Sequence, residues 1–133
     1  MRVRGVAAAL LTVLALPGCS ADHGSTLRFQ PCTDLPAGPE GPRHDVGCAT
    51  LTVPLDHADP ARGSLDMAVI RVRASDQRQR IGSLVLNPGG PGVSGVDFMP
   101  AWAASLPGEL LARFDLVSFD PRGTGRSAPI RCR

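Results

Sequence analysis

Lysine is missing from this sequence: all 14 basic residues among its 133 are arginine. That excludes a nucleotide P-loop, because no Lys-Ser/Thr pair follows the one glycine-rich turn that resembles such a loop. Charge of one sign is also lacking. A net charge of +2 with scattered arginines gives no case for a nucleic-acid partner. After residue 16 no apolar run is long enough to span a bilayer. No internal repeat and no low-complexity tract appears beyond the first segment. Gly-x-Ser-x-Gly, the nucleophile elbow of many hydrolases, occurs nowhere. The three histidines, His23, His44 and His57, all fall in the first half and read as surface or loop residues.

What is present begins with an export signal. Arg2 and Arg4 form a positive start, and Val6 to Leu16 is an apolar stretch too short for a mature membrane helix. Leu16-Pro17-Gly18-Cys19 resembles a bacterial lipobox, which makes residues 1–18 a lipoprotein-type signal and Cys19 the lipidated mature N-terminus. An ordinary secretory signal cleaved nearby is the alternative. Either places the protein outside the cytoplasm, held to the membrane by a lipid anchor or secreted. In an exported chain Cys32 and Cys48 are expected to form a disulfide. It would close a loop of about 17 residues and contribute ~3 kcal/mol in the chain-entropy picture. Cys132 is then left without a partner.

Residues 19–47 are rich in Pro, Gly and Asp and read as a tether and irregular arm; residues 48–133 carry the domain. Cys48 to Leu55 and Leu65 to Arg73 alternate apolar and polar, as an antiparallel strand pair across the turn Asp56 to Gly63. Ala74 to Arg80 reads as a polar hairpin loop, and Ile81 to Leu86 as a buried third strand. Ser94-Gly95-Val96-Asp97 is a helix start. Pro100 should kink or split that helix and Pro107-Gly108 break it again. One more turn then runs from Glu109 to Arg113. Phe114 to Asp120 is a fourth strand, joined to the third through helix and therefore parallel to it with a right-handed crossover.

The chemistry concentrates between the third strand and the helix, in Asn87-Pro88-Gly89-Gly90-Pro91-Gly92-Val93-Ser94-Gly95. Glycines at a helix start bring bare N–H groups and the positive end of the helix dipole to one place, which suits negative charge. Gly90 to Gly95 fits G-x-G-x-x-G, with Asp120 ending the next strand where a ribose-binding acid would stand. Against a dinucleotide, Pro91 removes an N–H, and two antiparallel strands precede the unit. The oxyanion of acyl transfer fits better. Backbone N–H groups preorganised there are worth a few kcal/mol of barrier each. In α/β-hydrolases one donor comes from the loop after the third strand. A second motif, Asp120-Pro121-Arg122-Gly123-Thr124-Gly125-Arg126-Ser127, lies one helical crossover further on.

Together these motifs resemble the N-terminal part of the secreted α/β-hydrolase peptidases that include the actinobacterial tripeptidyl aminopeptidases and, more distantly, the prolyl aminopeptidases. The matching residues are Cys48 to Asp56, Ile81 to Gly92, Phe114 to Val117 and Phe119 to Ser127. His57 departs from the aromatic residue common after Pro-Leu-Asp. Pro88 takes the slot that is His in prolyl aminopeptidases.

The resemblance implies the N-terminal half of an α/β-hydrolase fold and a serine peptidase, with ester or amide hydrolysis as variants of the same chemistry. Gly90 and Gly89 would supply oxyanion-hole backbone, Pro91 and Gly92 would shape the turn, and Asp120, Arg122 and Ser127 would support it. Nucleophile, acid and histidine follow later in such enzymes. So the isolated chain is expected to be inactive, its partners a peptide substrate in the complete enzyme and a complementing C-terminal half. No metal and no organic cofactor is implied. A His57–Asp115–Ser127 arrangement has no support from flanking residues. The alternatives are a non-catalytic exported lipoprotein that kept a binding half-domain, and a dinucleotide-binding module. Standing alone, the chain is expected to be marginally folded, with Leu116 to Phe119 exposed as a new sheet edge.

Overall fold

A computed structural model describes residues 27–35 and 45–132 of the chain. The expected signal at 1–18, Cys19, His23, His44 and most of the expected tether lie outside the described residues. The domain is a mixed five-stranded sheet with helices on one face: β1 Gln30–Pro31, β2 Val46–Pro54, β3 Ser64–Val72, β4 Gly82–Val85, α1 Gly95–Ser105, α2 Gly108–Arg113 and β5 Phe114–Phe119. This is an α/β arrangement. No helix among the described residues is long and apolar enough to cross a membrane.

The alternation seen at 48–55 and 65–73 produces the antiparallel pair β2–β3, in register from Val46↔Val72 to Pro54↔Ser64. β4 and β5 are parallel, Gly82↔Phe114 to Val85↔Val117, and joined through α1 and α2. Apolar residues at 96, 99 and 103 put Val96, Met99 and Ala103 on one buried face of α1. They pack over Ile70 and Val72 of β3 and Leu116 of β5. The sequence suggested a kink or two short pieces at Pro100; with this packing α1 continues across Pro100 as one helix and is not divided there. A proline removes one backbone bond, and a face of buried side chains offsets it. The break at Pro107 does occur, with Pro107 preceding α2.

Two expectations are corrected. The first concerns Ala74 to Arg80, which is not a hairpin. Its backbone turns away from β3 and is tied elsewhere: Ser75 N–H donates to Leu111 O, Ile81 N–H to Arg113 O, and Ala74 N–H to the Asp115 carboxylate at 2.9 Å. These bonds set β4 one strand-width away from β3, and β5 fills the space between them. The strand order is β1-β2-β3-β5-β4.

The second correction follows from that order. Leu116 to Phe119 is no sheet edge. β5 pairs with β3 on one side, Val69↔Phe119 to Val72↔Leu116, and with β4 on the other, and Leu116 is 0% exposed. The edge on this side of the sheet is β4, where Val85 is 62% and the preceding Ile81 56% exposed. β1, which the sequence did not suggest, adds Gln30 and Pro31 to the opposite side of the sheet. It is fastened by the Cys32–Cys48 disulfide, and Cys132 is free and exposed.

Candidate functional site

β4 and β5 run parallel, so both deliver their following loops to the same end of the sheet. The glycine-rich segment 87–94 leaves β4 there, and the turn 120–127 leaves β5 beside it. The start of the first loop is fixed by β5: Leu86 N–H donates to Val117 O at 2.8 Å, and Ser118 Oγ donates to Leu86 O at 2.8 Å. Its end is fixed by Asp120, which is 0% exposed. Asp120 Oδ1 accepts from Ser94 Oγ at 2.7 Å and from Val96 N–H at 3.1 Å, and Oδ2 accepts from Arg126 N–H at 2.7 Å. Ser94 Oγ in turn accepts from Asp97 N–H at 3.0 Å, the helix cap that the Ser94-x-x-Asp97 pattern suggested.

The chain thus provides its own anion for the start of α1. The Asp120 carboxylate occupies the position, at a helix N-terminus with free N–H groups, where a dinucleotide would place its pyrophosphate. Asp120 is also too enclosed to meet a ribose. The third glycine of the G-x-G-x-x-G match has a packing cause. A Cβ at Gly95 would overlap Ser118 Oγ and Phe119 O, so only glycine lets α1 sit this close to β5. The positive charge that the sequence placed at the helix start is satisfied internally, and any further anion must meet the loop itself.

Within that loop the glycines turn the backbone. Gly89 and Gly92 have φ of +84° and +79°, a region that favours glycine. The Gly90–Pro91 peptide is cis. Gly89 N–H is engaged by Asn87 Oδ1 at 3.1 Å. Gly90 N–H has no acceptor among the described residues, and Gly89 to Gly92 are exposed. Of the two backbone groups named as oxyanion donors, then, Gly90 is free to bind while Gly89 serves the turn.

The support residues divide. Ser127, 0% exposed, accepts the Ala68 N–H at 2.9 Å while Asp120 N–H donates to Ala68 O at 3.0 Å, so the turn 120–127 is stitched to both polar groups of one β3 residue. Arg122 makes its bonds away from the glycine-rich loop. Its guanidinium donates to Leu55 O at 3.0 Å and meets His57 Nε2 at 3.2 Å, tying the turn to the end of β2. Arg126, which the sequence did not single out, pairs with Asp97 of α1 and donates to Asp34 O at 2.8 Å. Its only sequence signal is its position inside the Asp120–Ser127 motif.

His57, Asp115 and Ser127 make no hydrogen bonds with one another. Asp115 lies at the opposite end of β5, bonded to Ala74 N–H and to Arg80 Nε at 2.9 Å. Burial raises its pKa, but the bonds from Ala74 and Arg80 outweigh that and hold it below the usual carboxylate value. A groove of about 650 Å³ runs between the arm, β2 and β3, with Arg28, Thr33, Thr50, Asp66, Val96 and Arg126 among its lining; residues 89–92 do not line it.

No family model matches the sequence. Carboxylesterase B of Mycobacterium tuberculosis is 50% identical over 88 residues, covering 65% of this chain and 16% of the relative. Serine protease Hip1 of the same organism is 37% identical over 133 residues, covering 92% of this chain and 25% of the relative. A tripeptidyl aminopeptidase of Streptomyces coelicolor is 43% identical over 91 residues, covering 65% and 17%. The chain spans a quarter or less of the length of these curated relatives. Their names support a hydrolase or peptidase family for it.

Proposed function

We propose that this chain is the N-terminal part of an exported serine hydrolase with an α/β-hydrolase fold, and that it supplies the oxyanion loop. The substrates are peptides from whose N-termini short fragments or residues are released. The observation that carries this reading is the Asp120 carboxylate, which fastens Ser94, Val96 and Arg126 together and so joins the two motifs. Similarity to carboxylesterase B, Hip1 and a tripeptidyl aminopeptidase supports the same chemistry.

In acyl transfer the carbonyl oxygen gains a full charge as the tetrahedral intermediate forms. The Gly90 N–H, without an acceptor in its own loop, donates to that oxygen. A rigid donor stabilises the transition state without having to reorganise during the reaction. Asp120 and Ser127 hold the neighbouring turn, and Gly89 and Gly92 set the loop's course. Nucleophile, acid and histidine come from polypeptide beyond this segment, so the isolated chain does not hydrolyse substrate. The signal at residues 1–18 exports the protein, and Cys19 anchors it to the membrane by lipid or is removed with the signal. The enclosed Asp120 leaves the helix start with no room for a dinucleotide phosphate, which weighs against that alternative.

A chimera tests the proposal: residues 45–132 replace the matched segment of the Streptomyces coelicolor tripeptidyl aminopeptidase. Retained hydrolysis of a tripeptidyl p-nitroanilide is expected, with kcat reduced roughly 10²- to 10³-fold by Gly90→Pro, which deletes the N–H. A folded chimera that is inactive, or one indifferent to Gly90→Pro, would overturn the oxyanion assignment.

A further inference from the structure

We propose that Arg126 is a positioning residue through which the Cys32–Cys48 disulfide steadies the start of α1, where the glycine-rich loop ends. The path is short and continuous. Cys32 is bonded to Cys48 of β2, and two residues later Asp34 turns back with φ of 63°, its carbonyl accepting from Arg126 at 2.8 Å. The other end of the Arg126 guanidinium pairs with Asp97 in the first turn of α1. Its backbone N–H donates to Asp120, whose second oxygen accepts from Val96 N–H and Ser94 Oγ. One arginine therefore touches the arm, the start of α1 and the carboxylate that closes the loop.

The arm matters because the Arg126–Asp97 pair is half-exposed, with side chains 36% and 41% accessible. An exposed ion pair alone holds its geometry poorly, since the entropy of two long side chains opposes a modest attraction. The Asp34 carbonyl is a second acceptor for the planar guanidinium fork and fixes its orientation. The arm is in turn held by β1, which pairs only Gln30↔Cys48 and Pro31↔Gly47, by Phe29 stacked on Arg71 at 4.0 Å, and by the disulfide. Of these, the disulfide is nearest to Asp34 in sequence. A dithiol reductant would break the S–S bond and leave two protein thiols, becoming a disulfide itself. With Cys32 released, Asp34 loses its fixed place, and Arg126 loses the acceptor that orients it toward Asp97. This coupling holds whatever reaction the loop serves.

Hydrogen exchange followed by mass spectrometry tests it on the full chain. In the oxidised protein, Arg126→Gln should speed exchange at the Val96 and Asp97 amides roughly tenfold and leave the β3 and β5 amides unchanged. Reduction with dithiothreitol, or Cys32→Ser with Cys48→Ser, should do the same at those two amides. In Arg126→Gln, reduction should add nothing there. Arg126→Lys keeps the charge near Asp97 but lacks the fork, so its oxidised exchange should lie between the two, and reduction should again have no effect. Unchanged Val96 and Asp97 exchange in oxidised Arg126→Gln would overturn the proposal. So would additive effects of reduction and Arg126→Gln, or reduction that loosens β3 and β5 as much as α1.

Discussion

A Cβ added to Gly125 would collide with the Asp120 carboxylate, so the second glycine of the Asp120–Ser127 motif exists to let that carboxylate approach the backbone. Gly125 also has φ of +51°, and Arg126, the next residue, donates its N–H to the same carboxylate. Gly125→Ala should destabilise the domain by about 2 kcal/mol or more, through overlap and left-handed backbone together. Asp120→Ala, which strands the buried Val96 N–H and two further donors, should cost at least as much, about 2–4 kcal/mol. Urea denaturation followed by circular dichroism measures both, and a change below about 0.5 kcal/mol in either would mean that the carboxylate is not holding the loop.

Asp115 makes stability depend on acid. Its carboxyl is held below the usual carboxylate value, because bonds from Ala74 N–H and Arg80 exceed the penalty of burial. Its stabilisation is therefore fully present above the unfolded-state value and is lost as pH falls through the lower folded-state value. The Ala74–Arg80 loop should loosen first on acidification, and Asp115→Asn should be less stable near neutrality yet lose less between neutral and strongly acidic pH. Parallel urea curves for the two proteins across that range would contradict this.

The exposed edge predicts self-association at β4. Val85→Lys should lower association of the isolated chain, read by sedimentation velocity, while changing stability by under about 0.5 kcal/mol. Leu116→Ala, inside the sheet, should instead cost about 2–5 kcal/mol by opening a cavity. Association unaffected by Val85→Lys would place the sticky surface elsewhere.

Cysteine chemistry separates three positions. Peptide mapping without reduction should recover Cys32 joined to Cys48, and maleimide should label Cys132 in the folded chain without denaturant. A Cys48–Cys132 link would contradict the structure.

A fluorophosphonate probe should label no serine of the isolated chain. Ser94 and Ser127 are the serines set in glycine-rich motifs; Ser94 spends its hydroxyl on Asp120, and Ser127 is buried with its oxygen accepting from Ala68. Stoichiometric labelling of either would overturn the assignment of the nucleophile to polypeptide outside this segment.

The sequence alone determined what depends on near neighbours. Alternation produced β2 and β3, Ser94-x-x-Asp97 produced the cap of α1, and strand–glycine loop–helix produced the shape of the site. Each is a relation across a few residues, where backbone propensity and side-chain period act directly. Tertiary structure decided the rest. Nothing local in Phe114–Phe119 says that it enters between β3 and β4, because an apolar strand pairs equally well at several places and the choice is made by the whole sheet. The same holds for the side chains. Asp120 meets Ser94 from 26 residues away, Ser127 meets Ala68 from 59, and Arg122 meets Leu55 from 67. A carboxylate at a strand end looks alike in sequence whether it faces a ribose or caps a helix. Only burial against α1 assigned Asp120 to the second, since an enclosed carboxylate must find donors, and those it found include the orphan Val96 N–H of that helix beside the Ser94 hydroxyl and the Arg126 N–H.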